Sequence, residues 1–298
     1  MDKLTELFCL VDNFCQVFEP EWNKHLLQSG HKQRHKQTQL SLSEMMTIVI
    51  LFHQLRYRHF KVFYQDYVLA YLAPYFPKLL SYNRFVELMP RCLVGLTAFS
   101  QTLKGECTGI SFVDSTPLKV CHNRRIPRHK TFVNYAARGK NSIDWFYGFK
   151  LHLLINHQGE LVCFKLTSGN VNDRHPIKAF CQKLHGLLFA DKGYLGQAIT
   201  EQLADMGVKL ITPVRKNMKE KMYTAFEKCL LQRRGVIETV NHELKNLCQI
   251  EHTRHRSLNN FLVNLMAGII AYCLQPQKPT VKGLKKNQSL LKTVKSIC

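Results

Sequence analysis

Gly109-Ile110-Ser111-Phe112-Val113-Asp114-Ser115-Thr116 is a short apolar run that closes on a carboxylate, and it reads as a buried strand delivering Asp114 to the end of a sheet. The pattern returns in Leu187-Leu188-Phe189-Ala190-Asp191-Lys192-Gly193-Tyr194, where a second apolar run stops at Asp191 and a turn and a helix-like stretch follow. A third carboxylate, Glu238, lies between Gln232 and Lys245, in a stretch with helical apolar spacing and several basic residues. Carboxylate oxygens are the ligands that Mg²⁺ and Mn²⁺ prefer. Asp114, Asp191 and Glu238 together are therefore a candidate two-metal site for phosphodiester chemistry. Each acid also has a plainer reading. An aspartate at a strand end often caps the next helix or holds loop amides, and Glu238 with Arg234 is an ordinary i,i+4 surface pair.

Composition favours a nucleic-acid partner. The 298 residues, 45% of them hydrophobic, suffice for one large domain and a smaller one. The 42 Lys and Arg against 21 Asp and Glu leave a formal charge of +21, as expected of a protein that neutralises a phosphate backbone. A membrane is disfavoured, because no stretch holds 18 uninterrupted apolar residues and the longest candidate, Phe261 to Leu274, is the length of a core helix. Met1-Asp2-Lys3-Leu4 does not look like a signal peptide, so an intracellular, cytoplasmic location is expected. The 11 cysteines show no C-x-x-C pair, which points to reduced thiols rather than structural zinc; Cys121-His122 is the one adjacent Cys-His pair.

Along the chain, Leu4, Leu7, Phe8, Val11, Phe14 and Phe18 mark an amphipathic helix over 4–18, and the segment from Ser29 to Leu40 reads as a basic linker. Ser41-Leu42-Ser43-Glu44 has the form of a capping box and opens a second helix. A helix over Phe60 to Leu72 stops before Pro74, and another starts after Ser81 with Tyr82, Phe85, Leu88 and Met89 inward. Three short helices allow a helix-turn-helix, in which Asn83, Arg84, Glu87 and Arg91 are the exposed residues of a recognition helix. Beyond Asp114, the stretch Lys119 to Lys140 carries Arg124, Arg125, Arg128 and Lys130 with interleaved aromatics, the composition of a basic flap over DNA phosphates. Trp145 to Ile155 and Leu161 to Leu166 form a hairpin about Asn156-His157-Gln158-Gly159. Asp173 reads as a helix N-cap ahead of Pro176, and Val208 to Pro213 as a further strand. This order predicts a mixed α/β sheet flanked by helices. It divides the chain into a helical domain over 1–100, a sheet domain over 101–275 closed by the helix Phe261 to Leu274, and a loose basic tail over 276–298, to which the resemblance given below adds DNA-end binding for the first and catalysis for the second.

On one continuous helix, Leu231, Arg234, Glu238, His242 and Lys245 share a wedge of roughly 80°, while Leu230, Ile237, Val240, Leu244 and Leu247 form the packing stripe. With these residues the chain resembles bacterial insertion-sequence transposases of the DDE, ribonuclease H-like superfamily, most closely the family named after insertion sequence 982. The resemblance rests on Phe112-Val113-Asp114-Ser115-Thr116, the strand from Trp145 to His152, Thr167-Ser168-Gly169-Asn170-Val171-Asn172-Asp173, Ala190-Asp191-Lys192-Gly193-Tyr194 and Arg233-Arg234-Gly235-Val236-Ile237-Glu238-Thr239. It implies a ribonuclease H-like fold, with Asp114, Asp191 and Glu238 holding two Mg²⁺ per site and Mn²⁺ able to substitute. It also implies a DNA partner, both terminal inverted repeats and target, bound by a homodimer or larger assembly. Related transposases carry Tyr-x2-Arg-x3-Glu-x6-Lys; Arg234, Glu238 and Lys245 match its last three positions as phosphate-holding and catalytic residues, and Leu231 stands in place of the tyrosine. A nuclease that cuts without joining, or a decayed transposase that only binds DNA ends, are the competing readings.

Overall fold

Leu4, Leu7, Val11 and Cys15 line the buried side of α1 (Lys3–Gln28) in the computed structural model, which describes residues 2–30, 39–141, 144–180, 184–214, 222–251, 255–281 and 283–284. The helix runs ten residues beyond the expected stop, straight through Pro20. Phe14, Phe18 and Trp22 stack on one another at i,i+4 spacing across that proline, so the aromatic face continues where the backbone loses one donor. Residues 31–38, most of the basic linker expected between Ser29 and Leu40, lie outside the described residues. At the next helix, α2 (Leu42–Gln54), Ser41 Oγ accepts from the Glu44 amide at 3.1 Å and the Glu44 carboxylate accepts from the Ser41 amide at 2.7 Å, so the capping box forms as read.

Between Phe60 and Tyr71 the chain is helical but not uniformly α: Phe63–Val68 is a π-helical turn between two short α segments. Buried Tyr64 ties it down by donating to the Leu80 carbonyl at 2.8 Å. The helix α3 (Tyr82–Leu88) starts on Ser81, turns Phe85 and Leu88 inward, and passes through the 3₁₀ turn Met89–Arg91 into α4 (Cys92–Thr102). Pro90 makes the division, and the sequence reading had named no helix at the position of α4.

The next elements build a six-stranded sheet from β1 (Ile110–Cys121), β2 (Ala137–Lys140), β3 (Trp145–Asn156), β4 (Leu161–Ser168), β5 (Gly186–Phe189) and β6 (Val208–Ile211). Its order is β2-β3-β1-β5-β6, with β4 beside β2 along the same flank of β3. Pairings among β1 to β4 are antiparallel, whereas β1–β5 and β5–β6 are parallel, so the mixed α/β class holds. The β3–β4 hairpin forms about the expected turn, where Asn156 Oδ1 accepts from the amides of Gln158 and Glu160. Among the described residues, α5 (Ile177–Phe180), α6 (Gln197–Asp205), α7 (Ala225–Gln232) and α8 (Val236–His242) accompany the sheet. Ile177, Phe180 and Leu203 bury against Val113, Leu154 and Leu188 of the strands.

The last helix, α9 (Leu258–Cys273), corrects the expected division. It packs on α2 and α4 instead of closing the sheet domain. The chain accordingly divides into one unit of residues up to Leu103 plus Leu244–Leu274, and another of Lys104–Glu243 with the segment starting at Gln275. Helix α9 is apolar nearly all round, and such a pattern announces burial without naming the neighbour. The loose tail is also corrected at its beginning: Val281 and Leu284 are buried, and the Val281 amide donates to the His157 carbonyl at 3.0 Å. Residues 285–298 of that tail lie outside the described residues. Among the described residues no helix is long and apolar enough to cross a membrane, and the described cysteines carry free thiols.

Candidate active site

β1 does not end at Asp114, as the sequence suggested. It runs on to Cys121 because β3 pairs with it throughout, Asp114 facing Leu153 and Pro117 facing Lys150. What ends near Asp114 is the other neighbour, since β5 meets β1 only at Ile110, Ser111 and Phe112. Past Phe112 that flank of β1 has lost β5, and an edge of this kind accommodates Pro117. Asp191 follows two residues after the end of β5 and also caps a 3₁₀ turn, Lys192–Tyr194, its Oδ1 accepting from the Lys192 amide at 2.6 Å. The capping role and the site role thus belong to the same side chain.

The third acid arrives on α8, which packs against β1 through a face that includes buried Ile237 and Val240. The continuous helix of the sequence reading is corrected here. Gln232 ends α7, Arg233–Gly235 is a 3₁₀ turn, α8 ends at His242, and Glu243–Leu247 is a π-helical turn. Arg234 spans two of the acids: its Nη1 lies 3.0 Å from Asp191 Oδ1 and its Nη2 lies 3.8 Å from Glu238 Oε1. Sequence reasoning had paired Arg234 with Glu238 alone. Asn241, one turn beyond Glu238, donates from Nδ2 to Asp114 Oδ2 at 3.0 Å, while its buried Oδ1 has no partner. The sequence reading missed Asn241, because nothing in the sequence shows that its amide is buried facing Asp114.

Burial raises the Asp114 carboxyl to about 7, and the charges of Asp191 and Glu238 add to the rise; the Ser115 amide and Arg234 oppose it. Two carboxylates whose charges add to the raised proton affinity of a third make a donor set suited to a hard divalent cation. They are not drawn tightly together: among the described residues, no group of three or more His, Cys, Asp or Glu side chains is placed to hold a metal ion. Arg234 supplies positive charge to the cluster.

Tyr194 closes the 3₁₀ turn after Asp191. Its ring is 2% exposed, packed in the core that includes Val113 and Leu154, and its hydroxyl makes no hydrogen bond. Burial and the charges of Asp114, Asp173 and Asp191 push the phenol well above its usual range; Ser115 is near enough to oppose this, without the geometry of a hydrogen bond. Asp173 does not cap α5. It pairs with Lys150 Nζ at 3.0 Å, and Asn172 Oδ1 takes the Arg174 amide instead.

Of the expected phosphate contacts, Arg124, Arg125, Arg128 and Lys130 are exposed on and just after the 3₁₀ helix Asn123–Arg128, in the same unit as the acids. His129 stacks on Phe132, which is fully buried and anchors this basic stretch. His122, of the Cys121-His122 pair, caps that helix by accepting from the Arg124 amide. Lys245 falls in the first unit, on the π-helical turn, where its Nζ lies 3.3 Å from Glu251. Asn83, Arg84 and Arg91 are exposed on and just after α3, with Arg84 held by Glu87 at 2.7 Å.

A mixed sheet thus carries Asp114 on one strand, Asp191 just beyond another and Glu238 on a helix packed against it, with Arg234 between the last two acids, in a strongly basic chain. The family model described as transposase DDE domain matches residues 104–258, and the chain belongs to that family. No curated protein and no solved structure matches the chain significantly.

Proposed function

We propose that this chain is an insertion-sequence transposase of the kind named after insertion sequence 982. It binds the terminal inverted repeats of its element, hydrolyses phosphodiester bonds at the ends, and joins the freed 3′-OH to target DNA. The observation that carries this reading is the assembly of Asp114, Asp191 and Glu238 in the family-matched region, coupled through Arg234.

Asp114, Asp191 and Glu238 would hold Mg²⁺ or Mn²⁺, two ions per site. When bound, such ions activate water or a 3′-hydroxyl and stabilise the departing oxygen. The chain's own residues prepare the site. Asn241 orients Asp114 through the bond to Oδ2, and Arg234 holds Asp191 and Glu238 near one another despite their like charge. The Arg234 guanidinium would also be able to grip a phosphate in bidentate fashion. Arg124, Arg125, Arg128 and Lys130 bind the backbone without reading sequence. In the first unit, α3 acts as the recognition helix of a helix-turn-helix, with Asn83, Arg84 and Arg91 toward DNA, and Arg84 exchanges Glu87 for a base edge or phosphate. Two copies or more would pair the two ends of the element.

The test is strand transfer. Purified full-length protein is incubated with a pre-nicked repeat end exposing a 3′-OH, target plasmid, and Mg²⁺ or Mn²⁺. A joined product is expected, because a site that positions water in line with a phosphodiester also positions a hydroxyl held in its place. Metal-dependent cutting without joining would replace the proposal with a nuclease. End binding without any product would replace it with a decayed, non-catalytic binder.

A further inference from the structure

Between α5 and the first turn of α6 the sheet unit opens into a cleft of about 410 Å³. Arg174, His175 and Lys178 line it, with buried Ile177 and Leu203 also in its wall. No Asp or Glu lines the cleft, and among the described residues none forms an ion pair with these three side chains. The first turn of α6 reinforces the same sign: it has no acid, and Gly196 offers no side chain to cap it. A concavity lined by cations and left without a counter-charge from the chain is suited to an anion.

Arg174 is fixed there by a set of bonds. Lys150 Nζ on β3 donates to the Val171 carbonyl and to Asp173 Oδ1, both at 3.0 Å, which ties down the loop that leads into Arg174. The Arg174 amide donates to Asn172 Oδ1 at 3.1 Å. Its Nε donates to the Gly193 carbonyl at 3.0 Å, and its Nη1 lies over Gly196, 3.5 Å from where a Cβ would stand. With Nε spent on the backbone, the two Nη groups remain for a ligand, in the planar geometry that matches phosphate oxygens. Gly193 is two residues past Asp191, a span of at most ~7 Å between their Cα atoms. A strand laid across the acids therefore also reaches the guanidinium.

We infer that the cleft between α5 and α6 is a DNA-phosphate site, in which the Arg174 fork and Lys178 hold the backbone of the strand beside the bond presented to the acids. This rests on the phosphodiester reading above. The arginine is oriented by the same turn that Asp191 caps, so the contact sets where the strand lies relative to that acid. Phosphate contacts carry no base information, and the site acts alike on every sequence.

The test uses full-length wild type, Arg174→Gln, Lys178→Gln and the two combined. Repeat-bearing and scrambled duplexes are titrated by gel shift over a range of salt. Cutting in Mn²⁺ is then followed on repeat duplexes in which the phosphates flanking the cut are replaced, one at a time, by neutral methylphosphonates. The slope of log affinity against log salt should become shallower by about one for each single variant and about two for the pair, equally on both duplexes. At one or more flanking positions the methylphosphonate should slow wild type and leave the already slower double variant unchanged, because the charge it removes has lost its partner. Lys178 is exposed, so Lys178→Gln keeps the fold and decides by the same readings should Arg174→Gln melt low. Unchanged salt slopes, or methylphosphonates that slow wild type and double variant alike at every position, overturn the inference and leave the transposase reading intact as long as wild type cuts. If wild type neither binds nor cuts DNA, the phosphodiester reading fails and the occupant of the cleft fails with it.

Discussion

Asp114 holds its proton to about pH 7 in the folded chain, whereas a free aspartate releases it near about 3.9. Between those values the folded state binds a proton that the unfolded state has lost. The associated stability is therefore fully present below about pH 4 and disappears as pH rises through about 7. Without divalent ions, the melting temperature of wild type should fall from about pH 5 to about pH 8 relative to that of Asp114→Asn, which carries no titrating proton there. Adding Mg²⁺ or Mn²⁺ at the upper pH should restore wild type and leave the variant unmoved. Parallel pH profiles for the two proteins would mean that Asp114 is not held as described. Arg234 makes a second prediction at this scale. Arg234→Ala removes the cation between Asp191 and Glu238, so strand cutting and joining should drop at least about tenfold while gel-shift affinity stays within about twofold; Arg234→Lys should rescue little, because one ammonium does not span two carboxylates. Loss of DNA binding equal to the loss of joining would make Arg234 a general backbone contact. The placing of Asp114 and Asp191 on and just after strands was legible in the sequence, since an apolar run closing on a charge is a strong local pattern, and that of Glu238 on a helix from the apolar spacing around it. Asn241 was not, because a buried polar group shows its purpose only through what faces it.

At the scale of elements, the approach of β1 to β5 places Asp114 and Asp191 near one another. It begins at two glycines, Gly109 and Gly186, with φ of 81° and 82°, values that side chains rarely adopt. A Cβ on Gly186 would run into the Gly109 carbonyl. Gly186→Ala should therefore cost about 1–3 kcal/mol in chemical denaturation, and an unchanged midpoint would show that the strands can start elsewhere. The hairpin β3–β4 was readable because alternation and the Asn156-to-Gly159 turn are local signals. The extent of β1 was not readable: its continuation past Asp114 depends on β3, a partner whose pairing leaves no mark on the β1 sequence. The breaks at Arg233–Gly235 and Glu243–Leu247 were hidden for a similar reason. A regular 100° rotation was the simplest reading of the apolar stripe, and it carried Lys245 onto the face of Glu238, whereas Lys245 lies beyond the end of α8 and pairs with Glu251.

For the whole molecule, the return of α9 to the first unit changes which pieces can stand alone. A fragment ending at Leu103 leaves bare the faces of α2 and α4 that α9 covers. It should melt without a cooperative transition, and co-expression with residues 244–274 should restore one; a cooperative melt for the short fragment alone would contradict this. The family-level architecture was legible from element order and the three acidic motifs. The discontinuous unit was not, because an all-round apolar helix fits either core. The central claim, that Asp114, Asp191 and Glu238 act as one phosphodiester site, is tested most directly by cutting of a supercoiled repeat-bearing plasmid in Mn²⁺ by the three single alanine variants, with gel shifts on the same preparations. Each variant should bind the repeat like wild type and yield no cut product. A variant that cuts at the wild-type rate would contradict the claim for that residue, and wild-type cutting by all three would remove the site altogether.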